Sequence, residues 1–182
     1  PVENTSLVPW LTLVAGIHTN LVARSTGFSI RSTYSFYLLT FVLVLYSTYL
    51  TRSGILGDTS AHAFTEMGLG IQLILFMAVF SLLSIALWLV RYKEVPDVKG
   101  EESATSREFW MFIGSLVFFL SAIVIIAQTS TPVLNKVLGT SIAPPADPEF
   151  AYNSIQIYIA IITALLTAVS QYLKYKDTTR SF

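Results

Sequence analysis

Apolar positions fall in long runs along this chain, and polar positions gather between them. Four runs, 33–51, 69–90, 109–127 and 155–173, are rich in Leu, Ile, Val, Phe and Ala and close to twenty residues long. Crossing a hydrocarbon core of about 30 Å takes roughly 20 helical residues, so each run predicts a transmembrane helix. A fifth run, 7–23, is shorter and is broken by Thr12, His18, Thr19 and Asn20. It is counted as a span because the tract Leu7-Val8-Pro9-Trp10-Leu11 otherwise has nowhere to bury. A helix apolar on every face belongs in a membrane or a very large core, and 182 residues do not build such a core. The expected fold class is therefore all-α: one polytopic transmembrane region over 1–182, with about five helices joined by short loops.

The basic residues give this bundle a direction. The loops 24–32 and 91–108 and the tail 174–182 hold Arg24, Arg31, Arg91, Lys93, Lys99, Arg107, Lys174, Lys176 and Arg180, against only Arg52 and Lys136 in the segments 52–68 and 128–153. Cytoplasmic loops carry the Lys and Arg excess. The first group is therefore expected in the cytoplasm, with the N-terminus and the loops 52–68 and 128–153 outside. Trp10, Tyr34, Trp88, Trp110, Tyr152 and Tyr172 lie near predicted span ends, where aromatic rings anchor at the interface. Pro96 and Gly100 break the loop before the fourth span, which Ser106 is placed to cap. Pro132, Pro144, Pro145 and Pro148 predict an irregular, semi-rigid outer loop. No internal repeat or low-complexity segment is visible.

Composition agrees. The chain is 53% hydrophobic and 12% charged, with a mean hydropathy of +0.64, whereas soluble domains carry roughly 25% charged residues. A formal net charge of zero provides no field to attract nucleic acid. The absence of cysteine removes disulfides, thiolate metal sites and thiol chemistry from the chain itself. The chain starts at Pro1, its first methionine is Met67, and residues 1–6 are too short and acidic for a signal-peptide start. It is therefore expected to be a piece of something longer.

Phosphate loops, His-Glu-x-x-His helices and serine elbows are missing, and the paired Glu101-Glu102 reads as a solvated loop. No two glycines stand four apart, so the glycine form of the helix-pairing motif is absent too. Two histidines remain. His18 falls inside a span, where an ionisable side chain normally faces the protein interior with a partner. Two readings stay open: ligation of iron through a neutral imidazole, or a hydrogen bond to a Thr or Asn of the next span. The small neighbours Ala15 and Gly16 are expected to leave room for a flat macrocycle. His62 lies in an outer loop with Arg52, Asp58 and Phe64. Arg52 either pairs with a carboxylate-bearing ligand such as a haem propionate or snorkels from its span end.

The segments themselves carry a resemblance. Pro1-Val2-Glu3-Asn4-Thr5-Ser6-Leu7-Val8-Pro9-Trp10 resembles the second half of the tryptophan-rich signature of the haem-handling proteins of cytochrome c biogenesis. Leu50-Thr-Arg-Ser-Gly-Ile-Leu-Gly-Asp-Thr-Ser-Ala-His-Ala-Phe64 resembles a loop of the CcmF family of haem lyase subunits, and Ser106-Arg107-Glu108 is similar to a later stretch of it. The likeness runs along nearly the whole chain. It implies a multi-pass protein of the bacterial inner membrane, with its N-terminal end periplasmic and its C-terminal end cytoplasmic. It implies haem b both as structural cofactor and as substrate, with His18 matching an intramembrane ligand of the structural haem iron and His62 an external histidine beside the tryptophan-rich surface. Trp10, Glu3 and Asn4 would shape that surface, which receives haem from the chaperone CcmE. The haem vinyls then join two thiols of an apocytochrome c Cys-x-x-Cys-His motif. Partners would be apocytochrome c, CcmE, other maturation proteins and the lipid bilayer. Each family haem site uses two histidines and this chain shows one of each, so alone it is expected to be inactive. A related CcmC- or CcsA-like haem exporter, or a non-catalytic scaffold or transporter, is the alternative.

Overall fold

The computed structural model describes residues 2–57, 68–96, 98, 103–175 and 178. Among these residues the chain is helical: α1 (Val2–Thr26), α2 (Ile30–Arg52), α3 (Gly70–Arg91), α4 (Arg107–Thr129), α5 (Thr131–Leu138) and α6 (Pro148–Ser170). All but α5 are long and apolar enough to cross a membrane, so the five expected spans are present. Helix α1 packs against both α2 and α4, with α3 outside α2 and α6 outside α4.

Local chemistry sets the ends. Gly27, at φ 82°, closes α1 in the left-handed conformation that favours glycine, and its N–H donates to the Ala23 carbonyl at 2.9 Å. Ser106 caps α4 as expected, its Oγ accepting the Phe109 N–H at 3.2 Å. Asp147 does the same for α6, accepting from Phe150 at 2.9 Å, with Pro148 in the first turn. This start corrects the sequence reading, which began the last span at 155: residues 148–154 are too polar for a hydropathy run, yet they form two capped helical turns. The prolines mislead once more at 131–138, where Pro132 stands in the first turn of α5.

Burial runs against hydropathy. Helices α3 and α6 bury no residue, and Ile71, Leu82 and Val90 of α3 are 73%, 67% and 73% exposed. The less apolar α1 instead holds the centre with Thr5, Val8, Thr12, Ala15, Thr19 and Val22 buried. These positions alternate spacings of three and four, the seam of left-handed helix packing. Lipid tails are as apolar as leucine, so small residues and interhelical hydrogen bonds hold membrane helices together. Thr40 Oγ1 donates to Thr12 Oγ1 at 2.9 Å, Asn20 Nδ2 to the Tyr37 hydroxyl at 3.0 Å, and Ser121 Oγ to Gln156 Oε1 at 2.6 Å. Val8, Leu11, Leu43, Ala122 and Ile125 join α1, α2 and α4 in one apolar cluster.

Pro9 lies inside α1 and has no N–H for the carbonyl four residues earlier. That carbonyl, Thr5 O, instead accepts from Ser47 Oγ of α2. Ser47→Ala should orphan it at the α1–α2 contact and cost about 1–3 kcal/mol. The check is the midpoint of detergent unfolding of the full-length protein. An unchanged midpoint would mean that another group reaches the Thr5 carbonyl.

The spans alternate in direction, and most of the described basic residues collect at one end. There Arg107 donates from Nε to the Ser170 carbonyl and from Nη2 to the Gln171 carbonyl, both at 3.0 Å. These are terminal carbonyls of α6, where a cation complements the helix dipole. Arg31 lies 4.6 Å from the Tyr92 ring centroid. Beside them Glu108 is 1% exposed and accepts Ser25 Oγ at 2.9 Å.

Candidate functional site

His18 sits on α1 where that helix meets α4. Its Nδ1 lies 2.8 Å from the Val14 carbonyl one turn earlier. A carbonyl only accepts, so Nδ1 carries the proton. In a neutral imidazole this proton leaves the lone pair on Nε2. The ring is steadied from α4 by Phe118, centroid to centroid 5.6 Å at 53°. The side chain is half-buried, and no hydrogen bond to Nε2 forms among the described residues. Metal-ligating histidines commonly donate one ring N–H to a carbonyl in this way, which leaves the other nitrogen open.

Neither open detail of the sequence reading survives unchanged. The hydrogen bond of His18 is to its own helix, not to a Thr or Asn of the next span. The room expected beside Ala15 and Gly16 is filled: Ala15 is fully buried, and a Cβ built on Gly16 would meet the Tyr37 ring at 2.8 Å and Phe36 Cβ at 3.3 Å. Glycine serves here to bring α2 close. The described residues offer one imidazole nitrogen, that of His18, and no cluster of three or more His, Asp or Glu suited to a metal forms among them.

Glu3, Asn4 and Trp10 are all on α1, with Glu3 exposed, Asn4 half-buried and Trp10 55% exposed. Fifteen residues of helix separate Glu3 from His18, roughly 22 Å at 1.5 Å per residue. Arg52 is the exposed last residue of α2. It shares the Glu3 end of the bundle, where Val2 packs on Tyr49, Leu50 and Leu56. The structure thus gathers Glu3, Asn4 and Arg52 at one end and sets His18 well below them. His62, with Asp58 and Phe64, lies outside the described residues. Sequence reasoning places Val14 on the His18 face but misses its carbonyl as the partner, and misses Phe118 and Tyr37. The first was findable as the carbonyl one turn before a membrane histidine; the other two depend on tertiary packing.

No family model matches the chain, and no solved structure matches it. Curated relatives do. The cytochrome c-type biogenesis protein CcmF of Pseudomonas aeruginosa is 33% identical over 183 residues, 98% of this chain and 26% of that protein. CcmF of Haemophilus influenzae is 30% identical over 179 residues, 97% of this chain and 26% of the relative. This chain is homologous to a segment of the CcmF proteins. A probable cytochrome c-type biogenesis protein NrfE of Escherichia coli is 29% identical over 170 residues, 92% of this chain and 30% of its own length. The CcmF-like chain thus spans about a quarter of the length of the curated relatives it matches first, in a multi-pass arrangement of apolar helices.

Proposed function

We propose that this CcmF-like chain is the haem-holding part of a membrane haem lyase in cytochrome c maturation, in which His18 would help hold a haem b. The observation that carries the reading is the Nδ1–H···O=C bond to Val14 at 2.8 Å, which leaves Nε2 available at membrane depth. The relatives' role in cytochrome c biogenesis supports it. In this reading α1 begins at the periplasmic face of the bacterial inner membrane, and the arginine-rich end lies in the cytoplasm.

The chain's own residues bind and orient. Val14 and Phe118 hold the imidazole plane, and Glu3, Asn4, Trp10, Arg52 and His62 shape the outer surface, with Arg52 suited to a propionate. The haem, when bound, supplies the reactive vinyl edge, which is the usual division of labour between protein and cofactor. Reduced thiols come from apocytochrome c, since this chain has no cysteine. Haem delivery falls to the chaperone CcmE. The detergent-purified full-length protein should show a sharp reduced-minus-oxidised haem b band near one haem per chain. Well-folded protein without haem would sink the reading.

A further inference from the structure

At the end of the bundle opposite Arg31 and Arg107, a cavity of about 500 Å³ lies between the end of α4, helix α5 and the start of α6. That is within the size range of small-molecule sites. Pro132, Ile142, Pro145 and the Tyr152 ring make much of its wall apolar. Most of its polar groups are used by the fold itself. The Tyr152 and Thr129 hydroxyls meet at 3.0 Å. Asn135 donates to the Ile142 carbonyl at 2.9 Å and accepts from the Ile142 N–H at 3.0 Å and the Thr140 hydroxyl at 2.8 Å.

Two groups are left over. Gln128 gives its Nε2 to the Ala151 carbonyl at 3.3 Å, which fixes the amide orientation, and its Oε1 is buried with nothing donating to it. A buried acceptor without a donor is costly. Lys136 also lines the cavity, and among the described residues it pairs with no carboxylate. The cavity therefore suits a ligand with an anionic group, a hydroxyl donor and an apolar body. The helices that frame it expose Val137 at 74%, Leu138 at 67% and Phe150 at 70%. On a short amphipathic helix beside the spans, such side chains lie in the acyl boundary of a bilayer.

We propose that this cavity binds the headgroup of an acidic glycerophospholipid, with its phosphate on Lys136, a glycerol hydroxyl donating to Gln128 Oε1, and its acyl chains along α5 and the start of α6. A zwitterionic head would set a second cation beside Lys136 and leave the site unneutralised. This inference is independent of the haem reading.

The test is native mass spectrometry of the detergent-purified full-length protein titrated with phosphatidylglycerol, phosphatidylethanolamine or glycerol 3-phosphate. The wild type is expected to retain one phosphatidylglycerol about tenfold more tightly than phosphatidylethanolamine. Lys136→Gln, at an exposed side chain, should erase that preference with an unchanged unfolding midpoint, and Gln128→Leu should weaken retention of phosphatidylglycerol. Equal retention of both lipids by the wild type, or an undiminished preference in Lys136→Gln, overturns the proposal. Saturation by glycerol 3-phosphate alone also overturns it, by making the ligand a soluble phosphate ester.

Discussion

His18→Ala in the full-length protein is expected to abolish or strongly shift the reduced haem b band while the helices stay assembled. Alanine removes the only described nitrogen placed to ligate from this part of the bundle. It leaves untouched the Thr12–Thr40 and Asn20–Tyr37 bonds that join α1 to α2. The structural cost is the ring contact with Phe118, about 1 kcal/mol for an aromatic pair. The lost carbonyl partner matters little, because Val14 O already belongs to the helix. Imidazole added to the variant should restore part of the band, since it supplies the same nitrogen without the tether. Identical spectra in wild type and variant, with matching unfolding midpoints, would take His18 out of the site. Loss of both band and fold would be read against His18→Phe, which keeps the ring contact with Phe118 but offers no lone pair. A band retained in that variant would likewise exclude ligation.

The spans were legible because each is long, apolar and bounded by charge, and the alternation of basic loops follows from the same pattern. The cap at Ser106 was legible because capping is local chemistry. What stayed hidden depends on neighbours. Helix α5 has eight residues, too few for any window that detects spans, and Pro132 reads as a breaker unless it is seen to stand in a first turn. The start of α6 was missed for a related reason: Asp147 and Pro148 announce a helix, but the polar turns after them do not announce a membrane. In the site, position alone marked His18 as unusual, but not which nitrogen is protonated. That follows from its rotamer against Val14 O. The misreading of Ala15 and Gly16 is instructive. Small residues in a membrane helix mark either a ligand's space or a neighbouring helix's approach, and only the position of Tyr37 separates the two. The polar Thr12 and Thr19, which made the first run look like the weakest span, are among the buried residues that place it at the centre.

Gly16→Leu tests that last point and should be among the most damaging single changes to the fold. Even one added carbon meets the Tyr37 ring at 2.8 Å and Phe36 Cβ at 3.3 Å. Tyr37 cannot swing aside freely, because Asn20 Nδ2 holds its hydroxyl at 3.0 Å. The three further carbons of leucine then force α2 away from α1 at this contact. Overpacking of a tight contact costs about 1–3 kcal/mol, and a broken Asn20–Tyr37 bond adds about 1 kcal/mol. The α1–α2 contact also carries Ser47 to the carbonyl freed by Pro9, so separation of the helices propagates the loss. The full-length variant should therefore unfold at a clearly lower detergent or denaturant midpoint than wild type, with Gly16→Ala between the two. The paired variant Gly16→Leu with Tyr37→Ala should recover part of the loss, because the ring that blocks the side chain is gone. If Gly16→Leu unfolds with the wild-type midpoint, α1 and α2 do not cross at this residue, and the space beside His18 is open after all. The small residues Ala15 and Gly16 would then revert to the role of clearing a face for the macrocycle.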